Sequence, residues 1–312
     1  MTLRSIVVCV PARLGSTRLP GKLLATVGDQ TVIEHVCDRV VDLVQRLQRI
    51  WMPSESEVNV SAFMVTDAED IAVRCLAKGL PVFRSKRVHE SGTSRIAECV
   101  RQRLDEPTLR DAIIVNVQGD EPFLCVADVV RLIRDFVSPT VGSTIRREID
   151  AAPVATLVYG NTSVASFLNP SCVKVVRRSG GMAAYFSRAP VPWPRQIFGT
   201  DTLAGRALRG DLTMPEGWSF WQHLGIYVYR GWYLANYPER ILQDLLADPC
   251  DQIEGLEQLA VLREGKAIWT AEAKAAAHGI DTQQDLDEAR QHWRVWLSIA
   301  QQQDSTDVHG TA

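Results

Sequence analysis

Ile6-Val-Val-Cys-Val-Pro-Ala-Arg-Leu-Gly-Ser-Thr-Arg-Leu-Pro-Gly-Lys-Leu23 reads as a buried β-strand opening into a nucleotide-phosphate loop. The β-branched run 6–10 gives way to Pro, Gly and Ser, residues that turn a strand into irregular backbone. Arg13, Arg18 and Lys22 follow close together. Three cations on a backbone freed by Gly15 and Gly21 suit a polyphosphate, because exposed N–H groups and guanidinium forks both reach its oxygens. The spacing excludes a Walker A motif: five residues separate Gly15 from Gly21-Lys22 where four are needed, and Leu23 stands where a hydroxyl is needed. The next helix begins near Thr31, too far on to place its dipole on the phosphates. A solvated basic turn is the alternative for this loop.

The 312 residues are 46% apolar, enough for a substantial core in one large or two modest domains. A net charge of −3 with both signs interspersed gives no field that gathers nucleic acid or an anionic membrane, so neither is expected as a partner. With no charged-then-apolar leader and no membrane-length apolar stretch, the cytoplasm is the expected compartment. Seven cysteines, at 9, 37, 75, 99, 125, 172 and 250 with no CxxC pair, suit thiols in a reducing environment, with neither disulfides nor structural zinc.

The first half alternates strand-like runs (6–10, 58–65, 81–84, 112–117) with amphipathic helical stretches (32–47, 68–78, 94–104, 126–136). That order predicts an α/β fold with a doubly wound, mostly parallel sheet, a Rossmann-like sandwich. Ligands in such sheets sit beyond the strands' carboxyl ends, where Arg13, Asp67 and Asp120 converge. The second half is less regular, with short strands near 154–158, 173–176 and 226–229, and reads as a smaller mixed lobe. The chain divides into a nucleotide half, about 1–150 and 255–300, and a substrate lobe, about 151–254. Helical spacing recurs over 254–264 and 282–298, the latter capped by Asp281 or Thr282. Segments 48–57, 140–152 and 199–217 look like surface insertions, and the polar tail 301–312 is expected to be disordered.

Asn116-Val-Gln-Gly-Asp-Glu-Pro122 puts Asp120 and Glu121 at the end of the most hydrophobic strand. Hard Mg²⁺ takes one or two carboxylates and completes its shell with water and phosphate, so the pair suits a metal-bound polyphosphate. Turn formation is the competing role. Asp281, in His278-Gly-Ile-Asp-Thr282, is a second carboxylate candidate, with N-capping as its ordinary role. Ser91 or Thr93 in His89-Glu-Ser-Gly-Thr-Ser-Arg95 caps a helix, and the same groups are able to read a base edge. Arg188 in Tyr185-Phe-Ser-Arg188 suits a carboxylate. His223-Leu-Gly-Ile-Tyr227 sets two polar rings around an apolar pair. No Ser/His/Asp order, HExxH or GxSxG gives a hydrolase reading a start.

These motifs, with Pro192-Trp193, Leu256-Glu-Gln-Leu259 and Gly279-Ile-Asp-Thr282, resemble in sequence and order the 3-deoxy-manno-octulosonate cytidylyltransferases, or CMP-Kdo synthetases, over about residues 4–290. The related sialic acid cytidylyltransferases share the fold but begin with a different loop. The resemblance implies transfer of a cytidylyl group from CTP to the anomeric hydroxyl of Kdo, an acidic eight-carbon sugar, giving CMP-Kdo and pyrophosphate for lipopolysaccharide synthesis. It implies that Ala12, Arg13, Arg18, Lys22, Ser91, Gly92, Thr93 and Arg95 bind the nucleotide, with Arg13, Lys22 and Asp120 catalytic. It further implies Mg²⁺ on Asp120 and Asp281, a sugar site of Gln118, Arg188, His223, Tyr227 and Glu257, and a homodimer formed through the smaller lobe.

The chain departs from that family's pattern in its three longer segments and in His278, which stands where the family has a small residue. The 199–217 segment lies between sugar-lobe motifs, so another acidic sugar, such as the 8-amino analogue of Kdo, stays open as substrate. A non-catalytic nucleotide-sugar binding protein is the reading from a different class. Retention of both Asp120 and Asp281 speaks against it.

Overall fold

A computed structural model describes residues 3–16, 18–51, 58–85, 87, 89, 91–195, 216–237 and 253–306. The opening run forms β1 (Ser5–Ala12), every residue of which is buried except partly exposed Pro11. Such burial requires cover on both faces, and the strand's alternation supplies it. Ile6, Val8 and Val10 join a core formed with the helix Val32–Trp51 and the helix Val126–Val137, while Val7 and Cys9 face a second core built on the helix Gly92–Arg103. β1 lies between β4 (Asn59–Thr66) and β6 (Ala112–Asn116), parallel to both, and β5 (Val82–Arg84) extends the sheet beyond β4. A hairpin of two short strands, β2 (Thr26–Val27) and β3 (Gln30–Thr31), leads into the first helix.

The sheet does not stop at the boundary between the two sequence halves. β10 (Phe220–Arg230) pairs antiparallel with β6 and with β7 (Val154–Asn161), and β11 (Ile268–Glu272) runs parallel to β7, giving the order β11-β7-β10-β6-β1-β4-β5. β8 (Lys174–Arg177) pairs with β10, and β9 (Ala183–Ser187) with β8, as an outlying ribbon. The mixed α/β class and mostly parallel sheet expected from the sequence are present; β10 alone runs against the main path.

Several elements correct the sequence expectations. The tail is not disordered from residue 301: the last helix runs Gln283–Thr306, and Asp304 within it is fully buried. Segment 140–152 is not an unstructured insertion but holds the helix Ser143–Ala151, anchored by buried Ile149. The helix expected over 254–264 is shortened to Gln258–Arg263, because Gly255 takes φ +60° and breaks the path. Strands β9 and β11 lie where none was expected. Residues 52–57 of one supposed insertion and 199–215 of another lie outside the described residues.

Candidate active site

The strand order brings four distant segments together. Val117 N–H donates to Cys9 O at 3.0 Å, tying the end of β6 to β1, and Ile280 N–H donates to Asp120 O at 2.9 Å, tying in the loop before the last helix. Gly119 passes so close to β1 that a Cβ there would lie 3.1 Å from Pro11 O. The fourth segment is a bulge in β10: pairing with β7 jumps from Leu224↔Leu157 to Tyr227↔Thr156, which pushes Gly225 toward Gln118 and Glu121.

Lys22 stands at the meeting point. Gly21 takes φ +69°, turning the chain into a short 3₁₀ segment that buries Lys22 to 9% exposure. Its Nζ donates to Asp120 Oδ2 at 2.5 Å and to Asp281 Oδ1 at 2.7 Å, and Arg18 reaches Asp281 at 3.0 Å. Burial alone would lower the Lys22 pKa, but the two carboxylates outweigh it and raise it. Burial likewise opposes ionisation of Asp281, and Lys22 and Arg18 overcome it. Glu121 has the opposite balance: burial, with the charges of Asp120 and Asp281, pushes it up to about 8. Its carboxylate fills the space that a side chain at Gly279 would take, with Oε1 only 2.8 Å from a Cβ placed there.

The last helix resolves which residue caps it. Thr282 Oγ1 accepts from Asp285 N–H at 3.2 Å, and Asp285 accepts from Thr282 N–H at 2.7 Å, a reciprocal box that leaves Asp281 free to face Lys22. Ser91 takes the capping role on the other helix, its Oγ accepting from Ser94 N–H at 3.1 Å.

Three adjoining clefts meet at Gln118. One, of about 380 Å³, is lined by Ala12, Arg13, Arg18, Lys22, Ser91, Gly92 and Arg95 together with Asp120 and Asp281. Arg95 is buried and ion-pairs with Asp67 at 3.0 Å, which holds Asp67 below the usual carboxylate range. Thr93 falls outside this cleft; its hydroxyl donates to Glu257 Oε2 at 2.8 Å.

The second cleft, about 240 Å³, brings Gln118, His223, Tyr227 and Glu257 together with Tyr229, Tyr237 and Gln258. Arg188 lies in neither of these but on the wall of the third cleft, about 420 Å³, with Gln118, Asp120, His223 and Asp281. The five residues expected around a sugar are therefore divided between two clefts that share Gln118 and His223. Arg188 Nε and Nη1 donate to Glu254 O at 2.6 Å and Pro170 O at 2.9 Å, using two of its five N–H groups. Its own carbonyl accepts from Lys174 Nζ at 2.7 Å, and that wholly buried lysine also binds Asn169 O and Cys172 O.

His223 has a defined protonation. Thr156 has one hydroxyl proton and gives it to Ile226 O at 2.6 Å, so its oxygen accepts from His223 Nε2 at 3.0 Å and Nδ1 is left as an acceptor. Burial holds the ring down to about 3, neutral at ordinary pH. Because the folded value lies below the unfolded one, the stability this contributes is complete above about pH 6.5 and lost as pH falls toward 3. His223→Gln should therefore flatten the fall of unfolding free energy with pH in that window, by up to about 1.4 kcal/mol per pH unit, and the fall of Tm with it. Parallel Tm–pH curves for the two proteins would contradict the assignment.

Residues missed in the sequence include Glu121, noted only as one of an acid pair, and Gln258, which follows Glu257 directly. His278 stacks flat on Trp296, ring centroids 4.0 Å apart and planes within 2°, on the wall of the third cleft. His89, in a quoted motif but given no role, lies 2.7 Å from Glu98 and lines the first cleft.

Comparison with known proteins matches residues 7–268 to the cytidylyltransferase family. The 3-deoxy-manno-octulosonate cytidylyltransferase of Idiomarina loihiensis is 36% identical over 287 residues, 92% of this chain and 97% of that one. The Neisseria gonorrhoeae protein of the same name is 36% identical over 289 residues, 92% of this chain and 98% of its own. Among solved structures, a CMP:2-keto-3-deoxy-manno-octonic acid synthetase complexed with CTP superposes with TM-score 0.67 at 31% identity, covering 94% of this chain and 99% of that one. HddC from Yersinia pseudotuberculosis, at TM-score 0.55, 10% identity and coverage of 92% and 99%, shares the fold alone.

Proposed function

The chain belongs to the 3-deoxy-manno-octulosonate cytidylyltransferase family, and from that premise we propose that it activates Kdo with CTP, forming CMP-Kdo and pyrophosphate. The observation that carries this reading is the junction at Gln118, where a cleft lined by Arg13, Arg18 and Lys22 opens onto two clefts lined by polar side chains. The anomeric hydroxyl oxygen bonds to the α-phosphorus as the bond from that phosphorus to the α,β-bridging oxygen breaks. Pyrophosphate leaves with the electron pair, and the hydroxyl proton passes to solvent. His223, held neutral to about pH 3, is too weak a base to take that proton and serves instead as a hydrogen-bond acceptor. The chain's task is positioning and charge neutralisation: Lys22 and Arg13 on the triphosphate, the Ser91–Gly92 turn and Arg95 toward the nucleoside.

Asp120 and Asp281 fit Mg²⁺, since both already present a carboxylate oxygen to one cation, the Lys22 ammonium, and two such oxygens suit a hard cation completed by phosphate and water. Bound there, Mg²⁺ would neutralise phosphate charge and lower the pKa of the attacking hydroxyl. A homodimer through the smaller lobe is the assembly that the family resemblance implies. A cytoplasmic site of action is supported by the six described cysteines, all free and five of them buried.

The test is pyrophosphate release from CTP and Mg²⁺ with Kdo, the 8-amino analogue of Kdo, or sialic acid. Turnover highest with Kdo is expected; turnover confined to another sugar, or none with any, would overturn the reading. Arg188→Lys keeps the charge but loses the planar fork. It should raise the sugar's Michaelis constant ten- to a hundredfold, on the order of 1.5–3 kcal/mol for a charged hydrogen bond, and lower turnover, while CTP affinity by calorimetry stays within about twofold. A fall in CTP affinity with unchanged sugar dependence would move Arg188 to the nucleotide side.

A further inference from the structure

The last helix carries a buried charge that the reaction itself does not use. Asp304 is 0% exposed, near the helix's far end from Asp281. Its Oδ1 accepts from Ala127 N–H at 2.7 Å and lies 3.8 Å from Cys125 Sγ, and its Oδ2 pairs with Arg39 and lies 3.9 Å from Arg46. Arg39, 5% exposed, uses Nε to hold Leu124 O at 2.9 Å, and Arg46 Nη1 holds Asp304 O at 2.8 Å. Every group held in this way on the 124–127 segment stands directly behind the loop that carries Asp120 and Glu121. Val126 also begins the helix Val126–Val137, so the clamp sets where that helix starts and where the loop must end.

We propose that Asp304 is a positioning residue for the reaction: with Arg39 it clamps 124–127 against the far end of the last helix, so that the helix whose start follows Asp281 also fixes the path of the chain leaving the Asp120–Glu121 loop. This rests on the proposed cytidylyltransfer and on the two aspartates as its acidic pair. Asp120 and Asp281 meet at Lys22 Nζ and through Ile280 N–H on Asp120 O, and the clamp restrains the 120–127 segment from moving away from that meeting point. A buried charge is costly to leave without its partner, which is why the Asp304–Arg39 pair holds one arrangement.

Asp304→Ala and Arg39→Lys separate this role from simple stability. Lysine keeps a cation opposite Asp304 but cannot hold Asp304 and Leu124 O together with a fork. In both variants kcat should fall at least tenfold and the Mg²⁺ concentration for half-maximal rate should rise several-fold, while CTP affinity measured without metal changes less than twofold. Amide hydrogen exchange over residues 119–127 should quicken in both, without matching change in β1 and β4. Should Asp304→Ala fail to fold, Asp304→Asn, which keeps an acceptor for Ala127 N–H and drops the charge, carries the kinetic test. Folded variants with wild-type kcat and Mg²⁺ dependence would overturn the proposal, whatever their Tm. Hydrogen exchange is independent of substrate: quickened exchange in an enzyme inactive on Kdo would discard the assigned reaction and keep the clamp. Unchanged exchange would discard the clamp.

Discussion

Lys22→Ala is expected to lower turnover roughly a hundred- to a thousandfold, about 2.7–4 kcal/mol, the usual loss when a preorganised contact to developing charge is removed. The structure adds a second reason for a large effect. Lys22 Nζ lies 2.5 Å from Asp120 and 2.7 Å from Asp281, with Glu121 close by, so its removal leaves carboxylates facing one another, with Arg18 still paired to Asp281. CTP affinity and kcat should fall together. An effect confined to the sugar's Michaelis constant would remove Lys22 from the phosphate site.

Asp120→Asn and Asp281→Asn should each abolish most turnover, on the order of a hundredfold or more, with the fold intact. Each keeps the side chain's shape and takes away the charged oxygen that a hard cation requires. The two should differ in nucleotide affinity. Asp281 also holds Arg18 at 3.0 Å, so its neutralisation frees a cation toward the triphosphate, whereas among the described residues Asp120 ion-pairs with Lys22. Near wild-type turnover at saturating Mg²⁺ in either variant would take that residue out of the metal site.

The elements legible in the sequence were those whose cause is local. β1 and β6 carry β-branched runs and β4 an apolar one, and Arg13, Lys22 and Asp120 follow strand ends that a parallel sheet must gather on one edge. The elements not legible were those fixed by distant partners. Gln301-Gln-Gln-Asp-Ser-Thr306 has the composition of a loose end, and only Arg39 and Ala127 N–H, far away in sequence, make Asp304 a buried anchor. β10 was foreseen only over 226–229, because Gln222, His223 and Gly225 interrupt its apolar pattern; the interruption is the bulge that builds the site. Ser143–Ala151 lacked a continuous apolar stripe, and buried Ile149 with half-buried Ile145 suffices to dock it. Around the clefts, motif order brought forward residues that line them but not how these residues divide among them. The separation of Arg188 from Tyr227 and Glu257 depends on how β10 and the 169–174 loop pack, which no spacing encodes.

The placement of β10 between β6 and β7 has a consequence for how the molecule is made. When Asn116 leaves the ribosome, β6 is complete on its β1 side, but its other edge, with Ile113, Ile114 and Val115, has no neighbour. β7 emerges next and cannot fill the gap, since its place is one strand further out. At synthesis rates of about 5–20 residues per second, the interval until Phe220–Arg230 appears lasts on the order of ten seconds. Throughout it the nascent chain presents an open, apolar strand edge of the kind that recruits other chains. The strand that shapes the junction of the clefts is also the one that ends this exposure, so a substitution at Leu224 or Val228 would be felt first as lost soluble yield, before any change in rate.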